Sequence, residues 1–183
     1  MNRRSRRVRT ALAALLACCL LLGGAVACGG KKEKSGGEAT PTSSAEKQKF
    51  AKTRFVTNAG LAAGATYQWI IKPFKQGTFK KGQKGRTTAL VKAGLAGTFA
   101  YNRLKAATEN AKGDPTLSKA LAPLTAGIDS LKNLSTKIRK GDATDADVNS
   151  FGDVINGVKD AGKSAGAEVK DKVPSYSEVQ KGS

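Results

Sequence analysis

Six cations and two phenylalanines fall within residues 72–86: Lys72, Phe74, Lys75, Phe79, Lys80, Lys81, Lys84 and Arg86, with Gly77, Gly82 and Gly85 between them. Ammonium and guanidinium groups at this density suit the holding of anions. Their summed potential concentrates phosphate, carboxylate or sulfate groups and speeds encounter, and salt screens the effect. The surroundings reinforce it. Residues 47–108 carry 13 Lys or Arg and no Asp or Glu, whereas residues 109–183 carry 11 basic and 11 acidic side chains. Lys72, Lys75, Lys80, Lys81, Lys84 and Arg86 are therefore the candidate anion-binding residues. Anionic lipid, wall polymer or an acidic partner protein would suit them. The blander reading of the same residues is a basic surface that keeps the chain soluble near an anionic envelope.

Other chemistries lack their parts. The chain has no His, hence neither the usual general base nor the commonest metal ligand. There is no GxSxG. Gly77-(x4)-Gly82 is followed by Gln83-Lys84 instead of Lys-Ser/Thr, so a P-loop's contacts to phosphate and Mg2+ cannot form. Asp142, Asp145, Asp147 and Asp153 lack the spacing of a calcium loop and read as helix-start acids that complement the helix dipole. No catalytic residue, metal or cofactor is implied, and a non-enzymatic protein is expected.

The N-terminus carries an address. Arg3, Arg4, Arg6, Arg7 and Arg9 form a basic n-region, residues 10–22 an apolar run, and Gly23-Gly24 break it before Ala25-Val26-Ala27-Cys28. This is the layout of a secretory signal peptide, with the arginines holding the N-terminus in the cytoplasm. Ala25-Val26-Ala27-Cys28-Gly29-Gly30 resembles the lipobox of bacterial lipoproteins, which usually has Leu where Ala25 stands. The resemblance covers the leader alone. It implies acylation of the Cys28 thiol, cleavage before it, and attachment to the extracytoplasmic face of the cell membrane, where two or three acyl chains hold stably. Leu16-Ala17-Cys18 is a rival lipobox that leaves a shorter h-region. Ala25-x-Ala27 is also a plain signal-peptidase site, which would release a secreted chain, and an uncleaved anchor is the third reading. Cys18 and Cys19 leave with the leader, so a lipidated chain keeps no free thiol and no disulfide. Export also argues against nucleic acid as a partner.

What positions the basic stretch is read from periodicity. Residues 28–45 are rich in Gly, Ser, Thr and Lys, lack an apolar run and read as a flexible tether behind Cys28. Beyond them apolar residues recur in steps of three and four: Val56, Gly60, Ala63, Tyr67, Ile70, Phe74; then Leu90, Gly94, Gly97, Tyr101, Leu104; then Leu117, Leu121, Leu124, Ile128, Leu131, Ser135, Ile138; then Val148, Phe151, Ile155, Val158, Gly162, Ala165, Val169. Such steps put each set on one helix face, and no stretch shows the sustained alternation of a strand.

The punctuation predicts helices over 46–72, 86–111, 115–140 and 144–170. Asp114-Pro115 is a cap followed by Pro at the first position. Thr144-x-x-Asp147 approximates a capping box. Lys112-Gly113 and Lys140-Gly141 read as stops. Short connections at 112–114 and 141–143 make the neighbours antiparallel. The expectation is an all-α, up-down antiparallel four-helix bundle over 46–172, with residues 1–27 a signal peptide and 173–183 a disordered tail. Gly60-x-x-x-Gly64 and Gly94-x-x-Gly97 read as close-packing points. Because small residues at the seams bury little area, helix–helix self-association into a homo-oligomer is the alternative use of these faces.

Overall fold

A computed structural model describes residues 44–183. The expected signal peptide 1–27, Cys28 and residues 29–43 of the expected tether lie outside the described residues, and Ser44 and Ala45, read as the end of that tether, belong to the first helix. Among the described residues every regular element is helical: α1 (Ser44–Thr66), a π-helical turn (Tyr67–Ile71), α2 (Lys72–Lys75), α3 (Arg86–Ala111), α4 (Pro115–Leu121), a 3-10 turn (Ala122–Leu124), α5 (Thr125–Lys140), α6 (Asp145–Ser164) and α7 (Tyr176–Gly182). Helix α1 lies along α3, α3 along α5, and α6 touches α1, α4 and α5. One core joins them, with Phe55, Phe99, Leu104, Leu117, Ile128 and Phe151 fully enclosed.

The helix ends follow local chemistry. Asp114 is extended, and its Oδ1 accepts the Leu117 N–H at 2.9 Å, capping α4 ahead of Pro115. Thr144 and Asp147 form a reciprocal capping box at the start of α6. Gly141 ends α5 with φ +80°, and the Asp142 N–H reaches back to the Lys137 carbonyl at 3.0 Å, a Schellman arrangement that a side chain would strain.

Four sequence readings are corrected. The helix predicted over 115–140 breaks at the 3-10 turn, because Pro123 has no N–H to continue the α ladder. Its apolar seam nevertheless stays on one side: Leu117, Leu121, Ile128, Leu131, Ser135 and Ile138 are all buried. The last helix predicted to reach residue 170 ends at Ser164, since Gly166 takes φ +68° and Ala167 N–H bonds the Gly162 carbonyl at 2.7 Å. Past the turn at Ala165–Gly166 the chain has no regular secondary structure up to Ser175, and Ala165, Ala167 and Val169 are buried in alternation. Tyr67, placed on a core face by the period, is 52% exposed. It follows the buried Thr66 and opens the π turn, whose extra residue shifts the phase of the residues after it. Gly60 and Ala63 of the predicted set are buried, and the core line of α1 also takes in Ala51, Phe55, Ala59, Ala62 and Thr66.

The tail is the fourth. In place of disorder, 176–182 form α7, capped by Ser175 and Glu178 in a second capping box. Val179 is fully buried, and Asn102 Nδ2 donates to the Gly182 carbonyl at 3.1 Å. The tail's Ser-x-x-Glu motif carried the capping signal; its docking partner, α3, is distant in sequence.

The expected close-packing glycines are close approaches. Gly60 and Gly64 face the carbonyls of Lys170 and Lys172 on the returning segment, and the Lys172 N–H donates to the Gly60 carbonyl at 2.9 Å. A Cβ on Gly60 would come 2.6 Å from the Lys170 oxygen. Gly94 and Gly97 meet Arg139 and Ser135 of α5. None of the helices among the described residues is long and apolar enough to cross a membrane.

Candidate functional site: a basic loop over an apolar cleft

The segment between α2 and α3 is a folded series of turns. Gly77 N–H donates to the Phe74 carbonyl at 2.8 Å, Thr78 N–H to Pro73 at 3.0 Å, Lys80 N–H to Gly77 at 3.0 Å and Arg86 N–H to Gln83 at 3.2 Å. Gly77, Gly82 and Gly85 all take positive φ, between 72° and 85°, the region glycine enters without steric cost. The three glycines among the lysines are thus the turn residues that let the segment double back.

This winding sets the cations. Lys72, Lys75, Lys80, Lys81 and Lys84 are all exposed. Among the described residues none of the five enters an ion pair, while Lys52, Lys105, Lys112, Lys137 and Lys159 each do. Arg86 differs. It is half-buried, and its Nε donates to the Phe79 carbonyl at 2.8 Å, so it pins the loop to the first turn of α3. Of the six candidates, five lysines have no ion-pair partner among the described residues, and the arginine braces the loop.

The two phenylalanines face each other with ring centroids 6.1 Å apart and a tilt of 58°, the offset geometry aromatic pairs favour. They line a cleft of about 390 Å3 whose wall also includes Leu90, Ile138, Gly141 and Ala143. Lys75 and Lys80 stand among its lining residues, and Asp145 is the one carboxylate there. Lys75, Phe74 and Asp145 also border a hollow of about 470 Å3 along α6, with Asn149 and Asn156. Lys72 instead borders a hollow of about 340 Å3 with Trp69 and Lys92. Lys81 and Lys84 lie at none of the three.

Trp69 packs at 5.8 Å from Tyr176 of α7, and the Lys92 ammonium lies 5.7 Å and 5.2 Å from the two ring centres. Such distances give cation–π attraction. Leu90, Ile138, Ala143 and Asp145 were not legible as site residues, because they reach the cleft from α3, α5, the α5–α6 connection and α6 through tertiary packing. Lys92 had no local signal either: its aromatic partners are 23 and 84 residues away.

The acids that read as helix-start residues divide. Asp147 accepts at Oδ2 from the Thr144 N–H and hydroxyl, both at 2.9 Å, and at Oδ1 from Lys137 Nζ at 3.1 Å. The Thr144 backbone bond is the main cause holding its carboxyl below the ordinary aspartate range, with the Thr144 hydroxyl and Lys137 adding to it. Asp145 lies in the same first turn but faces the cleft mouth. No group of three or more Cys, Asp or Glu among the described residues is placed to hold a metal ion.

No protein-family model matches the chain, and neither a curated protein nor a solved structure matches it significantly.

Proposed function

We propose that this chain is an exported lipoprotein, attached through Cys28 to the extracytoplasmic face of the bacterial membrane, whose helical body is a non-catalytic binding module for anionic envelope components. The body is read as an up-down antiparallel four-helix bundle of α1, α3, α4 with α5, and α6, braced by α7. The short connections at 112–114 and 141–144 support that topology. The leader residues support the anchor. Anionic lipid or wall polymer is the partner class, and nucleic acid is not.

One observation carries the binding reading: α2 and the glycine turns that follow it hold five lysines in the open, none of them paired with a carboxylate among the described residues. Cations so fixed and left without such a partner favour an external anion. Self-association, the alternative, draws on the Gly/Ala seams. Its support is weaker, because Gly60, Gly64, Gly94 and Gly97 are already met by the chain's own residues.

The test has two parts. Cys28→Ser should move the chain from the membrane fraction to the medium. Sedimentation of the full chain should show a mass independent of concentration, while binding to a polyanion falls with salt. A mass that rises with concentration, beside binding indifferent to salt, would favour assembly instead.

A further inference from the structure

The loop does more than display charge. It closes over a cleft with an apolar side, where Phe74, Phe79 and Ala143 are half-buried and Leu90 and Ile138 all but enclosed, and the two features share residues. Phe74 and Phe79 form one wall, Leu90 and Ile138 belong to the opposite helices, and Lys75 and Lys80 border the same space. A bare anion would use the ammonium groups and leave the apolar wall wet. A neutral hydrocarbon would use the wall and leave two ammonium groups unanswered. A ligand with both parts satisfies both, since pockets of roughly 300–1,000 Å3 with apolar walls and a few placed polar groups are the common form of small-molecule sites.

We infer that this cleft is a binding site for an anionic amphiphile, a single acyl chain bearing a phosphate or carboxylate head, with the chain between Phe74, Phe79, Leu90 and Ile138 and the head between Lys75 and Lys80. The inference rests on the anion-binding reading above and narrows it to a lipid-like ligand. Asp145 sets the polarity. As the one carboxylate on the lining, it disfavours a head group on the α6 side and leaves the loop side as the place for negative charge. Gly77, at φ +72° between the two phenylalanines, allows the turn that brings Phe79 back toward Phe74.

Calorimetric titration of the full chain tests this with three probes below micelle formation: octyl phosphate, inorganic phosphate and octyl glucoside. Octyl phosphate should bind at least about tenfold more tightly than either of the others. Lys75→Glu with Lys80→Glu should cost octyl phosphate about tenfold or more, while Lys132→Glu on exposed α5 should cost little. Ala143→Phe, which fills the cleft, should bring octyl phosphate down to the level of inorganic phosphate, with helix content unchanged by circular dichroism. If that variant fails to fold, the comparison of octyl phosphate with inorganic phosphate in the unaltered chain carries the same information.

Equal affinity for octyl phosphate and inorganic phosphate, both lost on charge reversal, would overturn the cleft and leave the anion patch standing. Equal affinity for octyl phosphate and octyl glucoside would overturn the role of the lysines at the cleft. Octyl phosphate binding indifferent to both the charge and the cleft variants, or absent altogether, would overturn the inference and count against the patch as well.

Discussion

Lys52 Nζ of α1 lies 3.6 Å from Asp114 Oδ2, and the same ammonium donates to the Ala165 carbonyl at 2.7 Å. One lysine thereby links α1 to the cap of α4 and to the end of α6. Asp114 is almost fully enclosed and already spends its other oxygen on the Leu117 N–H. Asp114→Ala removes the cap and the ion pair together, and should cost about 1–3 kcal/mol. Asp114→Asn keeps a capping oxygen and should cost less. Denaturant unfolding of both variants, and of Lys52→Met alone and combined with each, gives the coupling. Strict additivity would mean that the ammonium contributes only through Ala165.

The glycines of α1 and α6 should respond with opposite signs. In a helix interior, Gly→Ala normally stabilises by about 0.5–1 kcal/mol. At Gly152 an added Cβ meets only Ile71 Cδ1, at an ordinary contact distance of 3.8 Å, so Gly152→Ala should follow that rule. Gly60→Ala would drive its methyl against the Lys170 carbonyl and displace the segment that carries it, costing about 1–3 kcal/mol as overpacking does. Melting temperatures of the two variants should move in opposite directions. A stabilising Gly60→Ala would mean that the 170–173 segment is not held against α1.

Tail docking has a built-in reporter. Trp69 is the only Trp in the chain, and its ring contacts Tyr176. Val179→Asp places a charge at a fully buried position and should release α7. Trp69 emission should then shift to longer wavelength, while the helix content falls by little more than α7 itself. Ser175→Ala, which removes one half of the capping box, should give a smaller change, costing about 1 kcal/mol. Unchanged emission in Val179→Asp would place the tail elsewhere.

Acid should weaken the fold partly through two carboxyls. The Ser175 backbone N–H, at 2.7 Å from Glu178 Oε2, is the main cause holding that carboxyl below the ordinary glutamate range, as Thr144 does for Asp147. A carboxyl depressed in the folded state contributes stability above its unfolded value, and the contribution is lost as pH falls through the folded one. Melting temperature should therefore drop between the ordinary carboxylate range and strong acid. Asp147→Asn and Glu178→Gln should make that drop shallower. Equal slopes for variant and parent would remove the capping boxes from the acid response.

The readings that held were those set by neighbours in sequence. Asp114-Pro115, Thr144-x-x-Asp147 and Lys140-Gly141 each carry a complete local instruction, and α3 occupies the residues its period predicts. The misses came where distant contacts or single backbone choices decide. The π turn at 67–71 shifted a register that helical periodicity assumes constant. Gly166 and Pro123 ended α ladders that the apolar pattern carried on. The basic half of the candidate site was legible as a run of lysines among glycines. Its apolar half was not, because Leu90, Ile138 and Ala143 come together only once α3, α5 and the α5–α6 connection pack.

The most direct measurement compares two variants of equal charge change against a soluble anionic wall polymer. One carries Lys75→Glu, Lys80→Glu, Lys81→Glu and Lys84→Glu. The other carries the same change at Lys119, Lys132, Lys140 and Lys163, which are exposed and enter no ion pair among the described residues. Binding of the full chain at low and high salt separates position from net charge. If the loop is the site, the first variant loses binding and the second keeps most of it. Equal losses in the two would contradict the account and leave only a diffuse positive surface.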